Sequence, residues 1–348
     1  LVFIMAVMPL SDSSSMHLMR AESPGPSVGK LVPKVKTTAM ILYGIYVVFT
    51  VIEIIALLIA GMPLFDSMTL TFGTVGTGGF GLLNSSIASY STAVQIIITV
   101  FMIICSINFT VYYMFLIKRP KEALMCEEMR YYLLIVFGSA LLIAFNIRAS
   151  FASFGKAFQQ AIFQVASVIS TTGFATADFN LWPEFSRMIL VLLMFVGACA
   201  GSTGGGFKVS RLIIMVKSVR NEIMSVTHPR SVQKVHMDGR RIPDNVVKTV
   251  LCYLAGYVVI LIVSVLLISL DNFDMTTNFT AVMATFNNVG PGLNRVGPTG
   301  NFGGFSVLSK LVLMFDMLVG RLELYPMLVI FAPGLWRIHP HRHVGKVQ

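Results

Sequence analysis

Six apolar runs follow one another along the chain, most of them near the roughly 20 residues that an α-helix needs to cross the hydrocarbon core of a bilayer. The runs are 38–60, 93–117, 131–147, 185–199, 246–270 and 307–333. The fourth is the shortest, and the others are long enough to span on their own. The pattern therefore predicts an all-α integral membrane protein.

Three of the connections between these runs contain a shorter element. Segments 63–72, 154–169 and 278–286 are about 10 to 15 residues long, which suits a re-entrant half-helix better than a full span. Each leads into a cluster of Gly with Thr, Ser or Asn, at 74–80, 170–175 and 287–292. Ordinary outer turns would explain any one cluster. Three clusters in the same position predict repeated helix, re-entrant pore-loop, helix units of the potassium-channel type, because non-helical backbone at membrane depth is tolerated where it lines a path.

Composition and charge agree with a membrane location. Hydrophobic residues make up 55% of the 348 residues and charged residues 12%, and the mean hydropathy is +0.78. The formal net charge is +10, but the Lys and Arg residues concentrate in particular connections, chiefly 208–248, rather than on one amphipathic face. By the positive-inside rule these connections are cytoplasmic, and no nucleic-acid partner is expected.

The run that begins at 185 is predicted to continue as one helix to 216, but a Gly-rich stretch interrupts it. The stretch comprises Gly201, Ser202, Thr203, Gly204, Gly205 and Gly206. Each glycine in a helix interior costs about 1 kcal/mol relative to alanine, so the helix is expected to break there. The spacing does not match a nucleotide-binding loop. Two readings remain open, a kink for packing and a flexible loop beneath the pore.

Two charged residues interrupt apolar runs. Arg321 lies in the last run and must face water or a partner, since a bare charge at membrane depth costs about 2.5 kcal/mol or more; snorkelling toward the cytoplasm is the alternative. Glu53 lies in the first run, and the sequence offers no partner for it. Asp178 follows the second Gly cluster, where an acidic group would concentrate cations or, equally, cap a helix.

Six motifs carry a resemblance to a known family. They are SMHLMRAE at 15–22, GTGGF at 76–80, STTGFATAD at 170–178, AGSTGGG at 200–206, NNVGPG at 287–292 and GRLE at 320–323. With them the chain resembles the Trk/Ktr/HKT superfamily of potassium transporters over nearly its whole length. In that family four units surround one axis, and each supplies one filter glycine.

The resemblance implies a carbonyl-lined filter with K⁺ as the transported ion and the only metal. The matching glycines are Gly78, Gly173 and Gly290, and the ion-binding residues are Val75, Gly76, Thr77, Gly78, Thr171, Thr172, Gly173, Asn288, Val289 and Gly290. It also implies that the 201–206 stretch is a gate and that Arg321 faces the pore below the filter.

Only three units are present, so we expect an N-terminally truncated chain. Its segments are 1–37, the end of a first repeat and a cytoplasmic loop; 38–120, the second repeat; 121–245, the third repeat with the broken helix; and 246–348, the fourth repeat and tail. The expected function is potassium transport. Because one unit is absent, a non-conducting membrane scaffold is the alternative; no catalytic constellation is evident, and we expect no enzyme.

The resemblance further implies location and partners. We expect a multi-pass protein of the bacterial inner membrane that contacts lipid and forms a homodimer. A TrkA-type cytoplasmic subunit is expected to bind the regulatory nucleotide, so that this chain needs no cofactor of its own.

Overall fold

The computed structural model describes residues 35–228 and 233–322, together with 324, 327 and 328. Within this part the chain forms twelve α-helices and one two-stranded hairpin. The helices are α1 Val35–Ile59, α2 Leu64–Val75, α3 Thr92–Cys105, α4 Phe109–Leu116, α5 Pro120–Leu124, α6 Glu127–Ile147, α7 Phe154–Ile169, α8 Glu184–Val196, α9 Val209–Thr227, α10 Asp244–Ile268, α11 Met275–Phe286 and α12 Val307–Leu322. The prediction of an all-α membrane fold is confirmed.

Three helices in the described part are long and apolar enough to cross a membrane. They lie at Ala39–Ile59, Glu127–Ser150 and Asp244–Asp271 and correspond to the predicted runs 38–60, 131–147 and 246–270. A fourth span results if the bent pair α3 and α4 is counted as one. The chain is therefore a multi-pass membrane protein.

The three predicted half-helices are present as α2, α7 and α11. They contain 12, 16 and 12 residues, which gives lengths of about 18 to 24 Å at 1.5 Å per residue, less than the hydrocarbon core. Side chains cap two of their N-termini: Ser153 accepts from the Lys156 N–H at 3.3 Å, and Asp274 accepts from the Thr277 N–H at 2.9 Å. Each half-helix is thus a defined element that ends inside the fold.

The predicted run 93–117 is not one straight helix, because the chain bends by 88° between α3 and α4. The helix ends at Cys105, and the Asn108 side chain begins the next one by accepting from the Thr110 N–H at 2.9 Å. The bend is stabilised from another part of the chain: the Phe109 N–H donates to the Gly201 carbonyl at 3.0 Å. Hydropathy alone carries no sign of such a partner.

The predicted interruption of the 185–216 helix is also present, and it is wider than the stretch 201–206. Helix α8 ends at Val196 and α9 begins at Val209. The predicted run 185–199 is therefore helical only as far as Val196. Gly197 ends α8 with a φ of +69°, a conformation that glycine adopts at little cost. We call residues 197–208 the intramembrane loop.

A small β-hairpin, β1 His236–Met237 and β2 Arg240–Arg241, follows α9 in the basic segment. Asp238 and Gly239 form its two-residue turn with φ values of +50° and +72°, as expected for an Asp-Gly hairpin turn. Val235 and the partly buried Met237 pack against Ile214 of α9 and Val250 of α10. The hairpin is therefore attached to the helix ends on the predicted cytoplasmic side.

Parts of several predictions lie outside the described residues. These are most of segment 1–37, residues 329–333 of the last predicted run, the rest of the tail, and Glu323. Helix α12 covers the first part of the predicted run 307–333.

Candidate functional site

The three half-helices end with the same backbone path. Two residues after each helix, Thr77, Thr171 and Asn288 have φ values of +50°, +59° and +56°. Two residues further on, the N–H groups of three glycines donate back to carbonyls six residues earlier. These bonds are Gly79 to Gly73, Gly173 to Ser167 and Gly290 to Ala284, at 3.1, 3.3 and 3.5 Å. The Gly clusters therefore form one repeated structure, which we call the three filter segments.

This repeat corrects the alignment of the first cluster. Gly79, Gly173 and Gly290 have φ values of +67°, +85° and +103°, so they are equivalent positions. Gly78, which the sequence comparison paired with Gly173 and Gly290, corresponds instead to Thr172 and Val289. The two adjacent glycines look alike in the sequence, and only the left-handed backbone at the second one distinguishes them.

Neighbouring filter segments lie against each other. A Cβ added to Gly79 would lie 1.7 Å from the carbonyl oxygen of Thr172, and one added to Gly173 would lie 2.2 Å from that of Val289. A Cβ on Gly290 would meet no atom within 4 Å. The first segment thus touches the second and the second touches the third, with backbone carbonyls directed at the glycines between them.

Side chains of the filter segments form hydrogen bonds outside the contacts between neighbouring segments. The Thr172 hydroxyl bonds that of Ser170 at 2.7 Å, and the Asn287 amide donates to the Tyr257 hydroxyl at 2.8 Å. The Asn288 amide donates to the Met317 carbonyl of α12 at 3.2 Å. Hydrogen bonds to surrounding helices therefore anchor the third segment, and main-chain carbonyls lie at the contacts between segments.

The intramembrane loop reaches all three filter segments. The Thr203 carbonyl accepts from the Thr77 hydroxyl at 2.9 Å, and the Gly205 N–H donates to the Thr171 hydroxyl at 2.7 Å. A Cβ on Gly205 would lie 3.1 Å from the Asn287 carbonyl oxygen. The structure therefore brings the predicted gate and the predicted filter residues into one site.

The intramembrane loop requires glycine because its backbone lies very close to neighbouring residues. A Cβ on Gly204 would lie 2.9 Å from the Ser170 carbonyl oxygen and 2.4 Å from the Ala198 Cβ, and one on Gly206 would lie 2.7 Å from the Gly197 Cα. Larger side chains would push the loop away from the filter segments.

Arg321 belongs to the same site. Its guanidinium donates to the Thr203 carbonyl at 3.2 Å, so α12 contacts the loop at the carbonyl that also accepts from Thr77. Arg321 is exposed, and this contact gives its charge a polar partner among the described residues.

The two acidic residues singled out from the sequence lie elsewhere. Asp178 caps the short 3₁₀ turn Phe179–Leu181 by accepting from the Asn180 N–H at 3.0 Å, so its capping role is confirmed. Glu53 is fully buried on α1, and neither of its carboxyl oxygens has a hydrogen-bond partner among the described residues.

Sequence reasoning missed three charged residues around the loop. Glu128 is 3% exposed, and its Oε1 accepts from the N–H groups of Ala200 and Ser210 at 2.7 and 3.1 Å. Lys208, with a φ of +80°, is buried and donates from Nζ to the Gly204 carbonyl. Arg211 lies over the Tyr253 ring, 4.0 Å from its centroid. Hydropathy assigned all three to loops or helix ends, and only their burial reveals them.

On the predicted outer side, hydrogen bonds from the Thr277 hydroxyl and N–H lower the pKa of Asp274 below its ordinary value. The carboxylate therefore stays charged near neutral pH, where it caps α11 and accepts from the Asn294 amide at 2.8 Å.

Among the described residues no group of three or more His, Cys, Asp or Glu is placed to hold a metal ion.

Comparison with known proteins gives a consistent result. The TrkH family, described as "Cation transport protein", matches residues 1–338. The Trk system potassium uptake protein TrkH of Salmonella typhimurium is 35% identical over 345 residues, covering 97% of this chain and 70% of the relative, and the Escherichia coli K12 protein of the same name is 34% identical with the same coverage. The crystal structure of the potassium transporter TrkH from Vibrio parahaemolyticus superposes with a TM-score of 0.84 at 31% identity, covering 97% of this chain and 70% of that one.

The corrected filter alignment predicts different effects of alanine at two adjacent glycines. Gly79→Ala is expected to destabilise the protein by about 3 kcal/mol or more, because a non-glycine residue with this backbone costs about 1–3 kcal/mol and its Cβ would also overlap the Thr172 carbonyl oxygen. Gly78→Ala is the matched control, since its Cβ would meet only the Phe80 ring at 3.3 Å. Thermal unfolding of the purified variants measures both, and equal losses would contradict the alignment.

Proposed function

Because the chain belongs to the TrkH family of cation transport proteins, we propose that it passes potassium ions across a bacterial inner membrane. The relatives it matches are named as potassium uptake proteins, and the arrangement of its described residues supports the same activity. The observation that carries the proposal is the contact of three Gly-containing segments through backbone carbonyls, at the ends of three half-helices.

The filter follows from this arrangement. Carbonyl oxygens replace the hydration shell of a partly dehydrated cation when several of them surround it. The carbonyls of Thr172 and Val289, which lie at the adjoining filter glycines, are oxygens of this kind, and Gly78 stands at the equivalent position of the first segment. We assign ion binding to the filter residues named from the sequence, with Gly79 added.

The intramembrane loop serves as the gate. It lies against all three filter segments and contacts Arg321 through the Thr203 carbonyl. The fixed positive charge at this point raises the energy of a cation on the path. A loop that is rich in glycine and not helical has no helical turn to unwind when it leaves this position, although its hydrogen bonds to neighbouring residues must break.

The partners follow from the surfaces of the predicted cytoplasmic side. The basic hairpin and helix ends suit a regulatory subunit of the TrkA type that carries the nucleotide site, with no cofactor in this chain. Helix α9 has a stripe of exposed apolar side chains at heptad spacing, which suits a second copy of the chain. The stripe is Val216, Val219, Ile223 and Val226. Lipid covers the spans, and we propose no enzymatic activity.

Potassium selectivity is expected to depend on Gly173. In the full-length protein Gly173→Ser places a side chain at a φ of +85° and 2.2 Å from the Val289 carbonyl oxygen. A strain of about 1–3 kcal/mol corresponds to roughly five- to 150-fold in relative affinity, so the preference for K⁺ over Na⁺ should fall by about fivefold or more. Uptake of both ions into proteoliposomes measures it.

The matched control is Gly138→Ser on α6, where a Cβ meets nothing within 4 Å and transport should be unchanged. Wild-type selectivity in Gly173→Ser would contradict the filter. Absence of K⁺ uptake in the wild-type protein would contradict the proposed function and favour a non-conducting scaffold.

Deletion of Gly204, Gly205 and Gly206 tests the gate. Shortening the loop removes its contacts with the Thr171 hydroxyl and with the Ser170 and Asn287 carbonyls, so K⁺ flux should rise and its dependence on the cytoplasmic subunit should fall. The expected change is at least about fivefold, the lower end of the usual coupling between two sites. A folded variant with unchanged flux and regulation would contradict the gate, and a variant that no longer folds would indicate a packing role.

Nucleotide control should be lost when the cytoplasmic subunit is absent. The proposal assigns the nucleotide site to that subunit, so the purified membrane chain should bind neither ATP nor NAD(H) in equilibrium dialysis. Flux into proteoliposomes should respond to nucleotide only when both proteins are present. Tight binding of either nucleotide to this chain alone would contradict the assignment.

A further inference from the structure

The first turn of α6 is linked to the β-hairpin. Asp238, in the hairpin turn, accepts from the Glu127 N–H at 2.7 Å and so satisfies one of the free N–H groups at the start of α6. Lys217 of α9 forms an ion pair with Glu127 and donates to the His236 carbonyl at 2.7 Å. Helix α6, helix α9 and the hairpin therefore meet at Glu127.

The next residue of α6 faces the intramembrane loop. One oxygen of Glu128 accepts from the N–H of Ala200, before the Gly-rich stretch, and from that of Ser210, after it. The carboxylate lies in the first turn of α6, at the positive end of the helix dipole, where a negative charge is stabilised. A single buried side chain thus connects residues on either side of the Gly-rich stretch.

The geometry points to Glu128 as the positioning residue of the gate, and to Asp238 and Glu127 as its connection to the hairpin. We propose that displacement of the hairpin moves the first turn of α6 and thereby releases the loop. This inference rests on the proposed gating function, and it identifies the residues through which the cytoplasmic side reaches the loop.

The connection between the hairpin and the intramembrane loop is direct, because it passes through two neighbouring residues of α6. The Glu127 and Glu128 backbones are adjacent in one helical turn, so a change in the position of one moves the other. The hairpin is itself held by packing of Val235 on Ile214 and Val250 and by the Ile242 N–H, which donates to the Val235 carbonyl at 2.8 Å. It therefore moves as a unit, with Asp238 at its tip.

Accessibility of the loop provides a test that does not require transport. Ser202→Cys is introduced into the full-length protein after the two less buried cysteines, Cys126 and Cys252, are replaced by serine. Glu128→Ala removes the shared acceptor, so a membrane-impermeant thiol reagent from the cytoplasmic side should label Ser202→Cys at least about fivefold faster, the lower end of the usual coupling between sites. Asp238→Ala should act in the same direction.

Conservative variants separate positioning from general packing. Glu128→Gln and Asp238→Asn keep an acceptor oxygen and should restore slow labelling, because the hydrogen bonds to the N–H groups survive. Glu122→Ala is the matched control: this exposed carboxylate pairs with Arg119 and makes no described contact with α6 or the hairpin, so labelling should be unchanged.

K⁺ flux in proteoliposomes is measured on the same variants. Faster labelling together with flux less dependent on the cytoplasmic subunit supports the proposal, and faster labelling without K⁺ transport in any variant supports the positioning role while contradicting the proposed function. Wild-type labelling rates in folded Glu128→Ala and Asp238→Ala would overturn the inference. If Glu128→Ala does not fold, Asp238→Ala and Asp238→Asn decide it.

Discussion

Backbone N–H and C=O groups at membrane depth must find partners within the protein, because lipid offers none. Two helices in the described part of the chain are interrupted, and backbone groups of the two interruptions form hydrogen bonds with each other. The Cys199 N–H donates to the Ser106 carbonyl and the Phe109 N–H to the Gly201 carbonyl, both at 3.0 Å. Neither break would be tolerated alone, since a buried unsatisfied group costs about 1–3 kcal/mol. The bend between α3 and α4 and the intramembrane loop are therefore one structure made from two parts of the chain.

The same constraint determines where glycine is needed. The filter segments and the loop bring main chain against main chain, and side chains at Gly79, Gly173 or Gly204 would overlap carbonyl oxygens. Close approach lets N–H and hydroxyl groups reach carbonyls across segments that are distant in sequence. The glycines thus allow hydrogen bonding of the irregular backbone, and the carbonyls that remain directed between the filter segments are the ones proposed to bind the ion.

The elements that sequence could predict are those that depend on local pattern. The half-helices α2, α7 and α11 follow from apolar segments of limited length, and the break after α8 follows from Gly201–Gly206 because glycine weakens any helix. The bend at Ser106 was missed because hydropathy reports neither the Asn108 cap nor the contact of Phe109 with Gly201, far along the chain. The sequence could not show which of Gly78 and Gly79 is equivalent to Gly173 and Gly290, because residue type does not report the backbone φ angle. Glu128 was overlooked because hydropathy places it just outside a span, although the fold buries it.

Charges of both signs hold the intramembrane loop, each at the backbone group that it complements. Glu128 accepts from N–H groups at the loop's flanks, and Lys208 and Arg321 donate to the carbonyls of Gly204 and Thr203. Hydrogen bonds that involve a charged group are about twice as strong as neutral ones, so they fix the loop together with the packing of its Phe207 ring on Phe195, Tyr253 and Tyr257. When the loop leaves, these charges and the freed backbone groups must all be solvated. In the proposed gating step, the loop can therefore leave only as water enters beneath the filter segments.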